Sequence, residues 1–187
     1  MSYLFKFAWV ARAMIYGIFM RTLRFPGYMG PPMFMMGLRR MSMGRRVRVF
    51  PGLRAECHGS GELVIEDNVA LGQCVHITCG ARLIIGQGTV IAGFVSITDI
   101  DHEYQEVGVP VMSQGHTTRE TSIGKNCFIG MGARIQPGTR LGDGCVVGAN
   151  SVVRGEYPAN SVLVGAPAKV VRTYDSSQQA WVRAVKH

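Results

Sequence analysis

Between Ile97 and Ile123 the sequence gathers a dense set of titratable side chains: Asp99, Asp101, His102, Glu103, Tyr104, Glu106, His116, Arg119 and Glu120. His102 has the chemistry of a general base. An alcohol is a poor nucleophile at neutral pH, so its attack on a carbonyl carbon needs a group that takes the hydroxyl proton as the bond forms. Imidazole, with an ordinary pKa of about 6.5, suits that task and contributes roughly 10²–10⁴-fold. Asp99, Asp101 and Glu103 flank it. Asp101 is the candidate for orienting the ring and stabilising its cation, as the acid does in a hydrolase triad; the other two read as solvated loop acids. His116 and Tyr104 are ligand contacts or plain loop residues.

What must position these groups is a six-residue repeat. Aliphatic residues recur from Ile123 through Ile129, Ile135, Leu141 and Val147 to Val153, mostly followed by a small residue. Upstream, Ile65, Leu71 and Ile77 keep the period, which then shifts by two residues to Ile85, Ile91 and Ile97. Val47 and Leu53 fit as an opening turn. Four residues after each aliphatic comes a small or β-branched side chain, including Val69, Val75, Cys127, Ala133, Cys145 and Ser151. Period six fits neither an α-helix nor simple strand alternation. It fits short strands separated by tight turns, with three hexads closing one triangular coil and the coils stacking as parallel sheet. Cys127 and Cys145 then stack inside, one coil apart. The period fails across residues 99–121, and a solenoid has no packing reason to extrude so long a segment.

These repeats resemble the left-handed β-helix of the hexapeptide-repeat acyltransferase superfamily, over about Val47–Arg172. Pro158-Ala159-Asn160-Ser161-Val162 and Val164-Gly165-Ala166-Pro167-Ala168-Lys169-Val170-Val171 are similar to the closing signature of its galactoside and xenobiotic acetyltransferase branch. Glu56-Cys57-His58-Gly59 and Ile97-Thr98-Asp99-Ile100-Asp101-His102 are similar to O-acetyltransferases of lipopolysaccharide and exopolysaccharide clusters. The resemblance implies acetyl transfer from acetyl-CoA to a sugar hydroxyl of a surface polysaccharide or lipopolysaccharide precursor, with His102 as catalytic base and the backbone amide of Met131 as oxyanion donor. Many relatives have a hydroxyl side chain at the Met131 position, which Met131 does not reproduce.

It further implies a coenzyme A groove touching Gly130, Gly148 and Ala149, phosphate contacts at Arg154, Lys169 and Arg172, no metal, and a homotrimer with sites between subunits. Relatives often have lysine where this chain has Gly155. The sugar-binding acid of the galactoside enzymes has no counterpart either, since Gly80 and Ala81 stand in its region. An amino sugar or xenobiotic acceptor is the alternative. A zinc hydrolase of the same fold, drawing on His58, His76, His102 and His116, and a non-catalytic scaffold are further readings.

The expected fold is all-β: residues 1–46 form an N-terminal helical, basic segment, 47–172 the β-helix with loop 99–121, and 173–187 a C-terminal helix. Residues 1–58 carry ten basic side chains against Glu56 alone, +9 of the chain's net +8. That imbalance suggests an anionic neighbour, while no nucleic-acid-binding motif accompanies it. Within Tyr3–Phe25 the longest apolar run, Ala13–Met20, is far below the roughly 20 residues that span a bilayer. The segment is expected to form a helix ended by Pro26-Gly27, packed on protein or lying in a membrane interface. Five cysteines without CxxC spacing read as free thiols of a cytoplasmic protein, peripheral on the inner membrane face if the helix binds lipid.

Overall fold

The computed structural model describes residues 3–184. Strands of mostly two to four residues, spaced as the hexads require, wind into about seven three-sided coils of a left-handed parallel β-helix. On the first side Ile65, Ile85, Ile123 and Leu141 are successive register partners. On the second, Val49, Leu71, Ile91, Ile129, Val147 and Leu163 follow one another, and on the third, Ala55, Ile77, Ile97, Ile135 and Val153. All of these are buried. Each Val, Leu or Ile in these columns contributes about 1.5–3 kcal/mol, so the ladder of inward positions is the core.

The coil is 18 residues only in its later part, where Ser122 partners Arg140 and Phe128 partners Val146. Earlier partners are 20 residues apart (His76 and Ser96) or 22 (Arg54 and His76). The surplus sits after the third strand of each early coil, at Gly59–Gly61 and Gly80–Ala81, which accounts for the two-residue phase shift before Ile85. Corners in the left-handed backbone region are taken by asparagine as well as glycine, with φ 53° at Asn126, 56° at Asn150 and 70° at Gly132. Asparagine tolerates this region better than other side chains with a Cβ. Cys127 and Cys145 are buried as expected; hydrogen bonding to Cys145 together with burial pushes the Cys127 thiol up, so these are packing residues.

Both ends differ from expectation. Helix α1 (Tyr3–Phe19) stops well before Pro26, and the strand Thr22–Leu23 already pairs with Met41–Met43. Parallel stacking therefore begins upstream of Val47, because the backbone after Met20 finds partners on the second coil: Arg21 donates to Met41 O at 3.1 Å and Arg24 to Met43 O at 3.0 Å. Trp9, Ala13 and Met20 face inward, Trp9 against Tyr28 and Phe50 with ring centroids 5.7 and 6.1 Å away, so α1 covers the first coil.

At the other end the expected C-terminal helix is an antiparallel pair, Ala168–Asp175 and Ala180–Arg183, continuing the second side from Ser161–Gly165. Val170, Val171, Thr173 and Val182 favour strand, Tyr174 packs on Trp181 at 5.6 Å, and Asp175 closes the turn by accepting from Ser177 and Gln178. The pair does cap the solenoid, by occupying an open sheet edge. Val185, Lys186 and His187 lie outside the described residues.

Candidate active site

The interruption at 99–121 is a β-hairpin. Ile100–His102 pairs antiparallel with His116–Thr118, His102 directly opposite His116. Its base is fixed from beneath by Asp99, which is fully buried: its carboxylate accepts from the amides of Gly80 (2.6 Å) and Ala81 (3.0 Å), and its carbonyl from the amide of Arg119 (2.8 Å). Asp99 is thus a structural anchor rather than the solvated loop acid expected. It ties the hairpin to the corner of the preceding coil.

Alternation along the strand decides what each residue can touch. Ile100 and His102 face one way and, with His116, meet His58, His76, Thr78, Ser96, Ile97 and Thr98 around a cavity of about 450 Å³. The His102 and His116 rings are 6.5 Å apart. Asp101 faces the other way and pairs with Arg154 of a later coil. The arrangement does not bring Asp101 to His102, contrary to the sequence expectation, because adjacent residues of a strand point to opposite sides. Arg154, expected to meet a phosphate, is likewise committed to an internal carboxylate. The hairpin is therefore a wall, with the histidines on one side and the Asp101–Arg154 pair on the other.

Met131 is not among the residues lining the cavity. It sits, half exposed, at the corner that leads into the third side, whereas the hairpin leaves from the third side's far end. Gly130, Gly148 and Ala149 share the Met131 corner. A Cβ on Gly130 would lie 2.6 Å from the Ala149 nitrogen, so its smallness already serves coil stacking; a Cβ on Gly148 would lie 2.9 Å from Val164 Cγ1. Lys169 and Arg172 are exposed on the added strand; Lys169 is opposite Val164, beneath that same corner, and Arg172 is opposite Val162, further back along the side.

The sequence reading did not single out Glu56 as a site residue. It is 8% exposed, next to Arg54 on the same strand, and its carboxylate oxygens lie 3.3 Å from His58 Nε2 and 3.7 Å from His76 Nε2. Burial pushes this carboxyl up, but the hydrogen bond and charge of Arg54, with His58 and His76, outweigh that and hold it below its usual value. Its sequence signal was its place in a third-side strand one coil above the cavity. Among the described residues no group of three or more His, Cys, Asp or Glu is arranged to hold a metal ion. The zinc reading has no geometric support there.

Comparison with known proteins agrees with this architecture. Residues 120–155 match the family model described as bacterial transferase hexapeptide (six repeats). The chain is 35% identical over 171 residues, 88% of its length, to the putative lipopolysaccharide biosynthesis O-acetyl transferase WbbJ of Escherichia coli K12, of which it covers 84%. Among solved structures, a variant of the N-acyltransferase AntD from Bacillus cereus, in complex with dTDP-4-amino-4,6-dideoxyglucose and coenzyme A, superposes with a TM-score of 0.76 at 15% identity (89% of this chain, 91% of that one). A galactoside acetyltransferase in complex with coenzyme A superposes at 0.60 with 20% identity (89% and 72%). The structural likeness shows the fold, and identity at the level of WbbJ over most of both chains shows descent: the chain belongs to the hexapeptide-repeat transferases and is an acyltransferase.

Proposed function

We propose that the protein transfers acetyl from acetyl-CoA to a sugar hydroxyl of a lipopolysaccharide or surface-polysaccharide precursor, with His102 as the base. The observation that carries this is His102 on the wall of a cavity built from hydroxyl and imidazole side chains, in a chain related to a putative lipopolysaccharide O-acetyltransferase. The imidazole takes the acceptor's hydroxyl proton as that oxygen bonds to the thioester carbon. The tetrahedral intermediate then expels the coenzyme A thiolate, and the imidazolium returns the proton to that sulfur. The Met131 amide is the proposed oxyanion donor, an interaction worth about 3 kcal/mol of barrier.

His102 and Met131 stand at opposite ends of the third side, roughly 15 Å apart for five residues of extended chain. One site using both is therefore formed by two copies, His102 from one and the Met131 corner from the next, which supports the homotrimer. The hairpin tip has the exposed apolar side chains such a contact needs, Val107 at 99% and Met112 at 85%. Coenzyme A would lie along Gly130, Gly148 and Ala149 with its phosphates toward Lys169 and Arg172. Arg154 joins them only if it releases Asp101.

Helix α1 turns Phe7, Met14, Ile15, Ile18 and Phe19 outward beside Arg21 and Arg24. No helix among the described residues is long and apolar enough to cross a membrane. We place this face on an anionic membrane surface, where a lipid-carried acceptor would be found.

The test is purified enzyme with acetyl-CoA and a panel of neutral sugars, amino sugars and a xenobiotic amine, products identified by ester or amide linkage. Ester formation on a sugar is expected; amide formation alone would replace this reading with the amino-sugar or xenobiotic alternative.

A further inference from the structure

The cavity beside His102 has a second end that the transfer chemistry does not use. On the third side, residues stack in outward columns: Phe34, Arg54, His76 and Ser96 in one, Met36, Glu56, Thr78 and Thr98 in the next. Arg54 lies over the Phe34 ring at 5.4 Å and donates to Glu56, so the carboxylate is held from above. Glu56 is itself buried and does not line the cavity; His58 and His76 do. It acts on them as a positioning residue. His58 Nε2 is 3.3 Å from one carboxylate oxygen; His76 Nε2 is 3.7 Å from the other and 3.2 Å from the Thr78 hydroxyl, its hydrogen-bond partner.

We propose that His58 and His76, held by Glu56, form an acceptor subsite that takes the hydroxyls of a neutral pyranose and presents one of them to His102. Hydrogen-bonding capacity and charge carry the argument. Each ring offers a nitrogen that donates or accepts according to its tautomer, and a hydroxyl, which does both, meets either form. Formal charge is balanced around them, since the Arg54 cation and the Glu56 anion offset one another beside the two imidazoles, which leaves no surplus cation for a carboxylate or phosphate. Thr78, Ser96 and Thr98 add hydroxyls on neighbouring coils about 4.8 Å apart, and Ile100 gives the apolar wall against which the C–H face of a sugar packs. His116, opposite His102, closes the far side.

This inference rests on the reading of the chain as a sugar acetyltransferase, so binding and turnover are measured separately. Saturation-transfer NMR on the purified protein would use methyl β-galactoside and methyl β-glucoside as probes, with glucuronate and galacturonate as anionic comparators. The neutral glycosides are expected to give signal that His58→Ala and His76→Ala abolish. In turnover, the same variants should raise acceptor KM at least 10-fold with acetyl-CoA KM within twofold. Glu56→Gln, which keeps the shape, should raise acceptor KM less and leave the melting temperature near wild type.

Binding of glycosides without turnover would sustain the subsite while removing the transferase reading of the acceptor. No glycoside signal on wild type, signal from the anions alone, unchanged acceptor KM in both histidine variants, or a KM rise for acetyl-CoA instead would each overturn it.

Discussion

At the residue scale two neighbours, Asp101 and His102, carry opposite expectations because a strand turns them to opposite sides. His102→Ala should lower kcat for thioester-dependent transfer at least 10²-fold while the circular dichroism spectrum and melting temperature stay unchanged. A loss below 10-fold would remove the histidine from the chemistry. Asp101→Asn should cost less than 10-fold in kcat, since its carboxylate meets Arg154 and not the imidazole. A drop matching that of His102→Ala would restore the orienting role that the sequence suggested. That His102 stands where the repeat breaks was legible from the period. The direction of the neighbouring carboxylate was not, because whether residues 99–103 run as strand or open loop depends on the return strand at His116–Thr118, fourteen residues downstream of His102 at its start.

Asp99 belongs to the element scale. By its place in a charged loop it reads as solvated; in the fold it is buried and satisfies two amides of the coil before it. Asp99→Ala leaves those N–H groups without their acceptor, and we expect a loss of about 2–4 kcal/mol in urea denaturation together with lowered activity. An unchanged denaturation midpoint would show that water or the backbone replaces the carboxylate. The hexads themselves were readable because inward positions repeat every six residues and stack on their own kind. The C-terminal segment was misread: with no buried stripe to set its period, its pattern left helix and strand open, and the free edge of the second side selected strand.

Whole-molecule organisation makes two predictions. If the proposed trimer forms through the hairpin tip, Val107→Asp and Met112→Asp together should shift the protein toward monomer in sedimentation velocity and reduce transfer activity with it, since both side chains are exposed. A stable, active trimer from the double variant would take the tip out of the interface. Ile18→Glu with Phe19→Glu should lower co-sedimentation with phosphatidylglycerol vesicles at least 10-fold while leaving binding to neutral vesicles as weak as before. Equal binding by wild type and variant would remove α1 from any lipid surface. Both surfaces are apolar side chains left exposed among the described residues, and the +9 of residues 1–58 gives the second its charge preference.

The sequence by itself determined the solenoid and the place where it breaks, with His102 beside that break, because these follow from the local period. Tertiary structure alone decided which way Asp101 points, that Asp99 is an anchor, that Glu56 lies beside two histidines of the cavity, and that segments near both ends join the sheets. The reason is the same in each case. These outcomes depend on which backbone pairs with which, from 3 residues apart where the C-terminal strands meet to 38 across the interruption, and no local pattern specifies those pairings.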